Sequence, residues 1–392
     1  MSALPPAIPS WNPPPKKARI DSPSSSTPSS HSITPLRSRS NITPVYKTVR
    51  QVVDSNKSSP LLSSSLSSPI RAKRDKETQC DISLKIFSYD SINMTSDVIK
   101  HYTGLPTVDD FSAFRNALIL TYKLNRDMVK QFNMSVENQL LLTFTKLKLN
   151  FPHFHLGFLF GISESTSGRI FRRNIVMLAR IFKPLLQSIP PPYFCKQIQP
   201  KCFSSNSLTK DCTLAIDCTD VFFETTRKDL NLACSSYSEY RKGNTGKALV
   251  AILPSGCITF VSSLFPGRIS DKDICLKSGF YDTLVPGHRI LADKGFKIFD
   301  DLPPGVTVAM PAWKQKDKQF GTHEALSSRV ISSARSHVER VNERIKNYHI
   351  LDLINHDYND IASSIFFVIC ALVNVQNPIM SEVNDALNEC KC

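Results

Sequence analysis

Three acidic residues stand where carboxylates could do chemistry. Asp217 follows the apolar run in "CTLAIDCTD", Asp293 ends "RILAD" just before Lys294-Gly295-Phe296, and Glu339 lies in "ARSHVERVNERIKNY". A carboxylate at the tip of a buried strand is costly unless it is paired or holds a metal. If the three converge they repel, and a hard divalent cation removes the problem, because Mg²⁺ takes oxygen ligands and keeps waters or phosphate oxygens. Mg²⁺ is the expected ion, with Mn²⁺ as the substitute. Two such ions about 3.5–4 Å apart can activate an attacking oxygen and stabilise the leaving one at a phosphodiester. Two plainer readings stay open. A strand-end Asp is often a turn former or helix N-cap. Glu339, with Arg335, Arg340 and Glu343 close in sequence, would also suit a solvated helix face.

The elements that must position these residues form a mixed α/β domain over 208–378. "CTLAIDCTDVFF" reads as a strand, "KALVAILPSGCITFVSSLF" as two strands around a Pro254-Ser255-Gly256 turn, and "HRILADKGF" and "GVTVAMPAW" as two more. Helices follow at "SSRVISSARSHVERVNERIKNY" and "NDIASSIFFVICALVNV". The first has the apolar stripe Val330, Ala334, Val338, Val341, Ile345, spaced 4, 4, 3 and 4, with Glu339 on its border.

Residues 108–190 read as helical. Leu140, Phe144 and Leu147 can share one face of "VENQLLLTFTKLKLN". "FHLGFLFGISESTSGRIFRRNIVMLARIF" predicts a helix, a break at Gly161, an N-cap at Ser163 and a second helix carrying Arg169, Arg172 and Arg173. This is the layout of a helix-turn-helix, whose second helix can enter a DNA groove. The plainer alternative is a helical hairpin packed on the next domain. The Pro-rich stretch 191–207 reads as a linker, and 379–392 as a C-terminal tail.

The net charge of +14 points to an anionic partner such as DNA. Residues 1–76 hold 12 Lys/Arg against 3 Asp/Glu, so +9 of it lies there and only +5 in the remainder. Residues 1–80 are Ser/Pro-rich without apolar periodicity and are expected to be disordered. Within them "PPPKKARID" carries Lys16, Lys17 and Arg19, a short basic cluster of the kind that directs nuclear import. The 11 scattered cysteines lack paired zinc-site spacing and are expected to be reduced thiols. No apolar segment follows Met1 as a secretion signal would. The longest apolar run, from Ser364, is about half of the roughly 20 residues a spanning helix needs, so no membrane association is expected.

In order, "AIDCTDVFF", "YRKGNTGKALVAILPSGCITFVSSLFPGRISDKDI", "LADKGF", "PAWKQKDKQF" and "ARSHVERVNERIKNY" resemble the DDE superfamily endonuclease domain of Harbinger-like, insertion-sequence-type transposases. The stretch from Val136 to Phe171 resembles the helix-turn-helix that precedes that domain, although its first helix, "FHLGFLFGIS", lacks the polar residues common there. The resemblance implies a ribonuclease-H-like catalytic domain with a mixed sheet, behind a small all-helical region. It carries the family's acidic positions onto Asp217, Asp293 and Glu339, and a supporting acid onto Asp271; Asp220 and Asp273 rank lower. It implies a metal-dependent nuclease in which water or a 3′-hydroxyl attacks a phosphodiester in line, followed by strand transfer. Lys242, Lys247, Arg335 and Arg340 join as phosphate contacts, read from charge and position. DNA is the expected partner, a homo-oligomer and an accessory DNA-binding protein are further candidates, and the nucleus is the expected location. The competing reading is a domesticated, non-catalytic DNA-binding or chromatin-interaction protein that keeps the fold; a scaffold with structural acidic residues is a third.

Overall fold

The computed structural model describes residues 87–90, 95–125, 132–197, 199–225, 234, 236–311 and 321–379. The basic tail with Lys16, Lys17 and Arg19, the C-terminal tail beyond Ile379 and nearly all of "PAWKQKDKQF" lie outside these residues.

Among the described residues seven strands form one mixed sheet. β1 (Leu214–Phe222) pairs antiparallel with β3 (Gly243–Ile252), and β3 pairs antiparallel with β2 (Tyr237–Ser238), β4 (Ile258–Val261) and β5 (Phe265–Pro266). On its other side β1 runs parallel to β6 (Arg289–Leu291), which runs parallel to β7 (Thr307–Ala309). An antiparallel set joined through its first strand to a parallel pair is the ribonuclease-H-like order. The β3–β4 connection turns at Gly256, whose φ of +92° is open to glycine and strained for other residues.

Side-chain alternation gives the sheet two buried faces. Leu214, Ile216, Leu249, Ala251, Ile290 and Ala292 pack with Ile274 and Cys275 of a short helix, Asp271–Lys277, and with Phe280 and Phe296. The opposite parity, Ala215, Val221, Val250 and Leu291, packs with the long helix Thr322–Lys346 and with the apolar helix Ala362–Asn374. In chain order these helices are α8, α9 and α10. The stripe expected on α9 is buried at Ala334, Val338, Val341 and Ile345 and half-buried at Val330.

The helical region before the sheet comprises α1 (Ser96–Thr103), α2 (Val108–Leu124), α3 (Val136–Leu149), α4 (His153–Phe160) and α5 (Glu164–Leu185). α1 was not anticipated; at eight residues it is too short for periodicity to reveal. Within the expected linker, two single turns form, α6 (Pro192–Cys195) and α7 (Lys201–Ser204), each started by a proline that presets φ for the first turn. Among the described residues no cysteine is in a disulfide, and no helix is long and apolar enough to cross a membrane.

The α4–α5 pair has the expected helix-turn-helix form. Gly161 closes α4 at φ +66°, and the Ser163 hydroxyl accepts the Thr166 N–H to cap α5. α5 is nevertheless docked on α10, within one core shared by the helical region and the sheet. His153 at the start of α4 bridges Ser167 Oγ (2.9 Å) and Tyr358 OH (2.6 Å), and Phe171 packs against both aromatic partners. Burial, then the charges of Lys146 and Arg172, depress the His153 imidazole to about 4. The folded state therefore favours neutral His153, while the unfolded chain takes up the proton near its ordinary value of about 6.5. Its stabilising contribution is complete above that value and is lost as pH falls from about 6.5 toward 4. Relative to His153→Gln, the wild type should lose about 1 kcal/mol between pH 7.5 and pH 5, because partial solvent access screens part of the full linkage value. Thermal melts at the two pH values check this, and parallel pH profiles for the two proteins would refute it.

Candidate active site

Strand parity and register carry two carboxylates to one place. Asp217 shares the face of Ala215 and Val221, and Asp293 that of Leu291, so both face α9 and not α8. The parallel register pairs Ala215 with Leu291. Two residues further along each strand lie Asp217 and Asp293, at the carboxyl end of the parallel pair, where open α/β sheets place their sites.

α9 crosses this edge with a polar line of Arg335, Glu339, Asn342 and Lys346, at helical spacings of 4, 3 and 4. Arg335 lies at the centre. Its Nη1 is 3.3 Å from Asp293 Oδ1, its Nη2 is 3.5 Å from Glu339 Oε1, and its charge also favours ionised Asp217. Asn342 donates from Nδ2 to Asp217 Oδ2 at 3.0 Å. Burial pushes the Asp217 carboxyl up to about 6, against the opposing pull of Arg335, the Cys218 backbone and Asn342, with Glu339 adding to the rise. The three acidic residues thus face one cationic side chain from three separate elements.

Carboxylate oxygens are the ligand type a hard divalent cation takes. Arg335 pairs with two of these carboxylates and acts on the third through its charge alone, so one positive charge stands against three negative ones. Among the described residues no three His, Cys, Asp or Glu side chains gather tightly enough to hold an ion by themselves. The group that stands among these carboxylates is Arg335.

The other expected site residues are placed as follows. Asp271, in the first turn of α8, pairs with Lys247 at 3.2 Å, and a Cβ on Gly295 would lie 3.4 Å from its Oδ2. Lys247 shares its face of β3 with Leu249 and Ala251, so this ion pair sits across the sheet from Asp217. Arg335 is engaged by the carboxylates. Lys242, at φ +52°, and Arg340 are exposed.

On α5 the three arginines have different surroundings. Arg169 is exposed, close to the exposed first turn of α5. Arg172 pairs with Asp360 at 2.9 Å, donates to the Asp357 carbonyl and lies over the Tyr358 ring. Arg173 is inserted among Tyr122, Phe132 and Gln139. On the first helix of the pair, Phe154 and Phe158 are exposed, in keeping with the apolar "FHLGFLF".

Sequence reasoning missed Asn342, Lys346 and Arg241. Arg241 pairs with Asp220 at 3.0 Å, and the charges of Arg241, Asp220 and Asp217 all act on the Lys346 amine, which burial pushes down. Asp220, Phe222, Arg241, Lys346, Leu351 and Asp352 line a concavity beside β1. The 4, 3, 4 spacing from Arg335 was the signal that could have found Asn342 and Lys346; Arg241 is brought in by β2–β3 pairing and had none.

No curated protein and no solved structure matches the chain. Residues 216–374 match the family model described as DDE superfamily endonuclease, and residues 132–184 match the helix-turn-helix of DDE superfamily endonuclease. The first match spans the sheet from Asp217 through α10, and the second spans α3 to α5. Fold, motif order and both matches agree: residues 216–374 are a DDE superfamily endonuclease domain, and residues 132–184 are the helix-turn-helix that precedes such domains.

Proposed function

We propose that this protein is a transposase-type DNA endonuclease that cleaves phosphodiester bonds with divalent metal ions, Mg²⁺ or Mn²⁺, and transfers the cut strand. The observation that carries the reading is that Asp293 and Glu339 pair with Arg335 while Asp217 bonds Asn342 of the same helix, at the carboxyl edge of the parallel strands. Asp217, Asp293 and Glu339 would hold the metal, which when bound supplies an activated attacking oxygen and stabilises the leaving one. Asn342 fixes the orientation of the Asp217 carboxylate by its hydrogen bond. Lys346 and Arg241, which line a concavity with Asp220, would supply positive charge at the edge where a phosphate backbone would lie. Lys242 and Arg340 extend that charge along the exposed surface.

Nicking of labelled double-stranded DNA in Mg²⁺ and in Mn²⁺, against a chelator control, tests the function. Binding without cleavage in either metal would instead support the non-catalytic reading.

On the helix-turn-helix, Arg169 is the DNA contact we assign, because it is exposed and its hydrogen bonds go to Ser165 and Thr166 of its own helix, whereas Arg172 and Arg173 bond Asp360 and Gln139 of other elements. Arg169→Ala should weaken DNA binding at every sequence tested and lower the salt slope of log K by about one. Arg173→Ala should instead lower the melting temperature. Equal losses of DNA affinity in both variants, at unchanged stability, would overturn this division.

A further inference from the structure

Arg335 has an unusual position for a DNA contact. Its side chain is only 11% exposed, whereas the carboxylates it bridges, Asp293 and Glu339, are 49% and 57% exposed. Its Nε is buried without a hydrogen-bond partner. A buried charge is retained where it compensates other charges, and Arg335 compensates three: it pairs with Asp293 and Glu339 and attracts Asp217. A guanidinium is a limited partner for this cluster. It carries one positive charge against three negative ones, and it offers only N–H donors and cannot deprotonate. A divalent cation carries twice that charge and would be repelled by a guanidinium left in place.

Resting on the reading of Asp217, Asp293 and Glu339 as metal ligands, we propose that Arg335 is the exchangeable counter-cation of the site. Without metal, its guanidinium is shared among the carboxylates. A divalent cation displaces it, and the displaced guanidinium then pairs with a phosphate oxygen of the nucleic acid, a match for its planar fork of donors. Metal and DNA therefore assist each other. DNA draws Arg335 off the carboxylates and so tightens metal binding, and by linkage metal tightens DNA binding by the same factor. The arrangement restrains metal loading until substrate is present.

The test measures binding of Mn²⁺ alone to the full chain, from the loss of the free-ion signal in electron paramagnetic resonance. It is run with and without a short DNA duplex. Arg335→Gln should bind Mn²⁺ about tenfold more tightly than wild type in the absence of DNA. The duplex should tighten Mn²⁺ binding severalfold in wild type and leave Arg335→Gln nearly unchanged. The metal-free melting temperature of Arg335→Gln should fall, and saturating Mn²⁺ should restore more of it than in wild type. Should Arg335→Gln not fold, Arg335→Lys carries the test: a point charge cannot span both carboxylates, and tighter Mn²⁺ binding is again expected. Mn²⁺ binding that is lost in Asp293→Asn but equal in wild type and the Arg335 variants overturns the exchange alone. Mn²⁺ binding that is absent from wild type, or unaffected by Asp293→Asn, overturns the ligand assignment beneath it.

Discussion

Asp217→Asn, Asp293→Asn and Glu339→Gln should each lower Mg²⁺-dependent DNA nicking by a factor of about 10³ or more. An amide keeps the shape of the carboxyl but removes the charge that a hard cation requires. Groups that hold one metal centre act as a unit, so any double substitution should add little to the single loss. Glu343→Gln is the control: it lies one turn beyond Glu339 and is exposed. Rates of nicking in Mg²⁺ and in Mn²⁺ provide the measurement. Activity lost in Glu343→Gln but kept in Glu339→Gln would reassign the third ligand.

These variants should stay folded, and Asp217→Asn should melt higher without metal. The fold holds the Asp217 carboxyl at about 6, above the ordinary carboxylate value of about 4. The group contributes its full stability below that ordinary value, and the contribution is lost as pH rises through about 6. Asn carries no such charge, so the gain from the substitution should be absent below pH 4 and complete above pH 6–7. Its ceiling is about 2–3 kcal/mol.

Phe171→Ala should destabilise the whole chain by about 3–5 kcal/mol. Phe171 is fully buried on α5 against His153 and Tyr358, so its removal opens a cavity at the junction of the helix-turn-helix with the nuclease domain. Denaturant unfolding should remain one transition, shifted to lower midpoint, because the helical region and the sheet share one core. The isolated segment 132–190 should show no cooperative melt, since it would expose the face of α5 that α10 covers. A segment that folds and binds DNA by itself would identify the helix-turn-helix as an autonomous module. The docking also separates the roles of its arginines: Arg172 ties α5 to Asp360 and the Asp357 carbonyl, and Arg169 is left at the surface.

The sequence by itself determined the elements and the chemistry that they carry. Short apolar runs bounded by polar and turn residues located β1, β3, β4, β6 and β7, and the 4, 4, 3, 4 stripe located α9. The order of short motifs around Asp217, Asp293 and Glu339 pointed to the endonuclease family. These properties are local: a strand or helix is written in the spacing of its own apolar residues, and a family motif in a few consecutive positions. Alternation even settles which side chains share a face once a strand is known, which is why Asp217 travels with Ala215 and Asp293 with Leu291.

Only the tertiary structure decided which charges meet. Strand register and the crossing of α9 bring Arg335 to Asp293, and Asn342 to Asp217 over 125 residues of chain. Docking of α5 on α10 joins Arg172 to Asp360 over 188 residues and His153 to Tyr358 over 205. A guanidinium in a basic-looking motif reads the same whether it faces water, a phosphate or a neighbouring carboxylate. Its role is set by the burial and partners that packing assigns, and neither is encoded in the residues beside it.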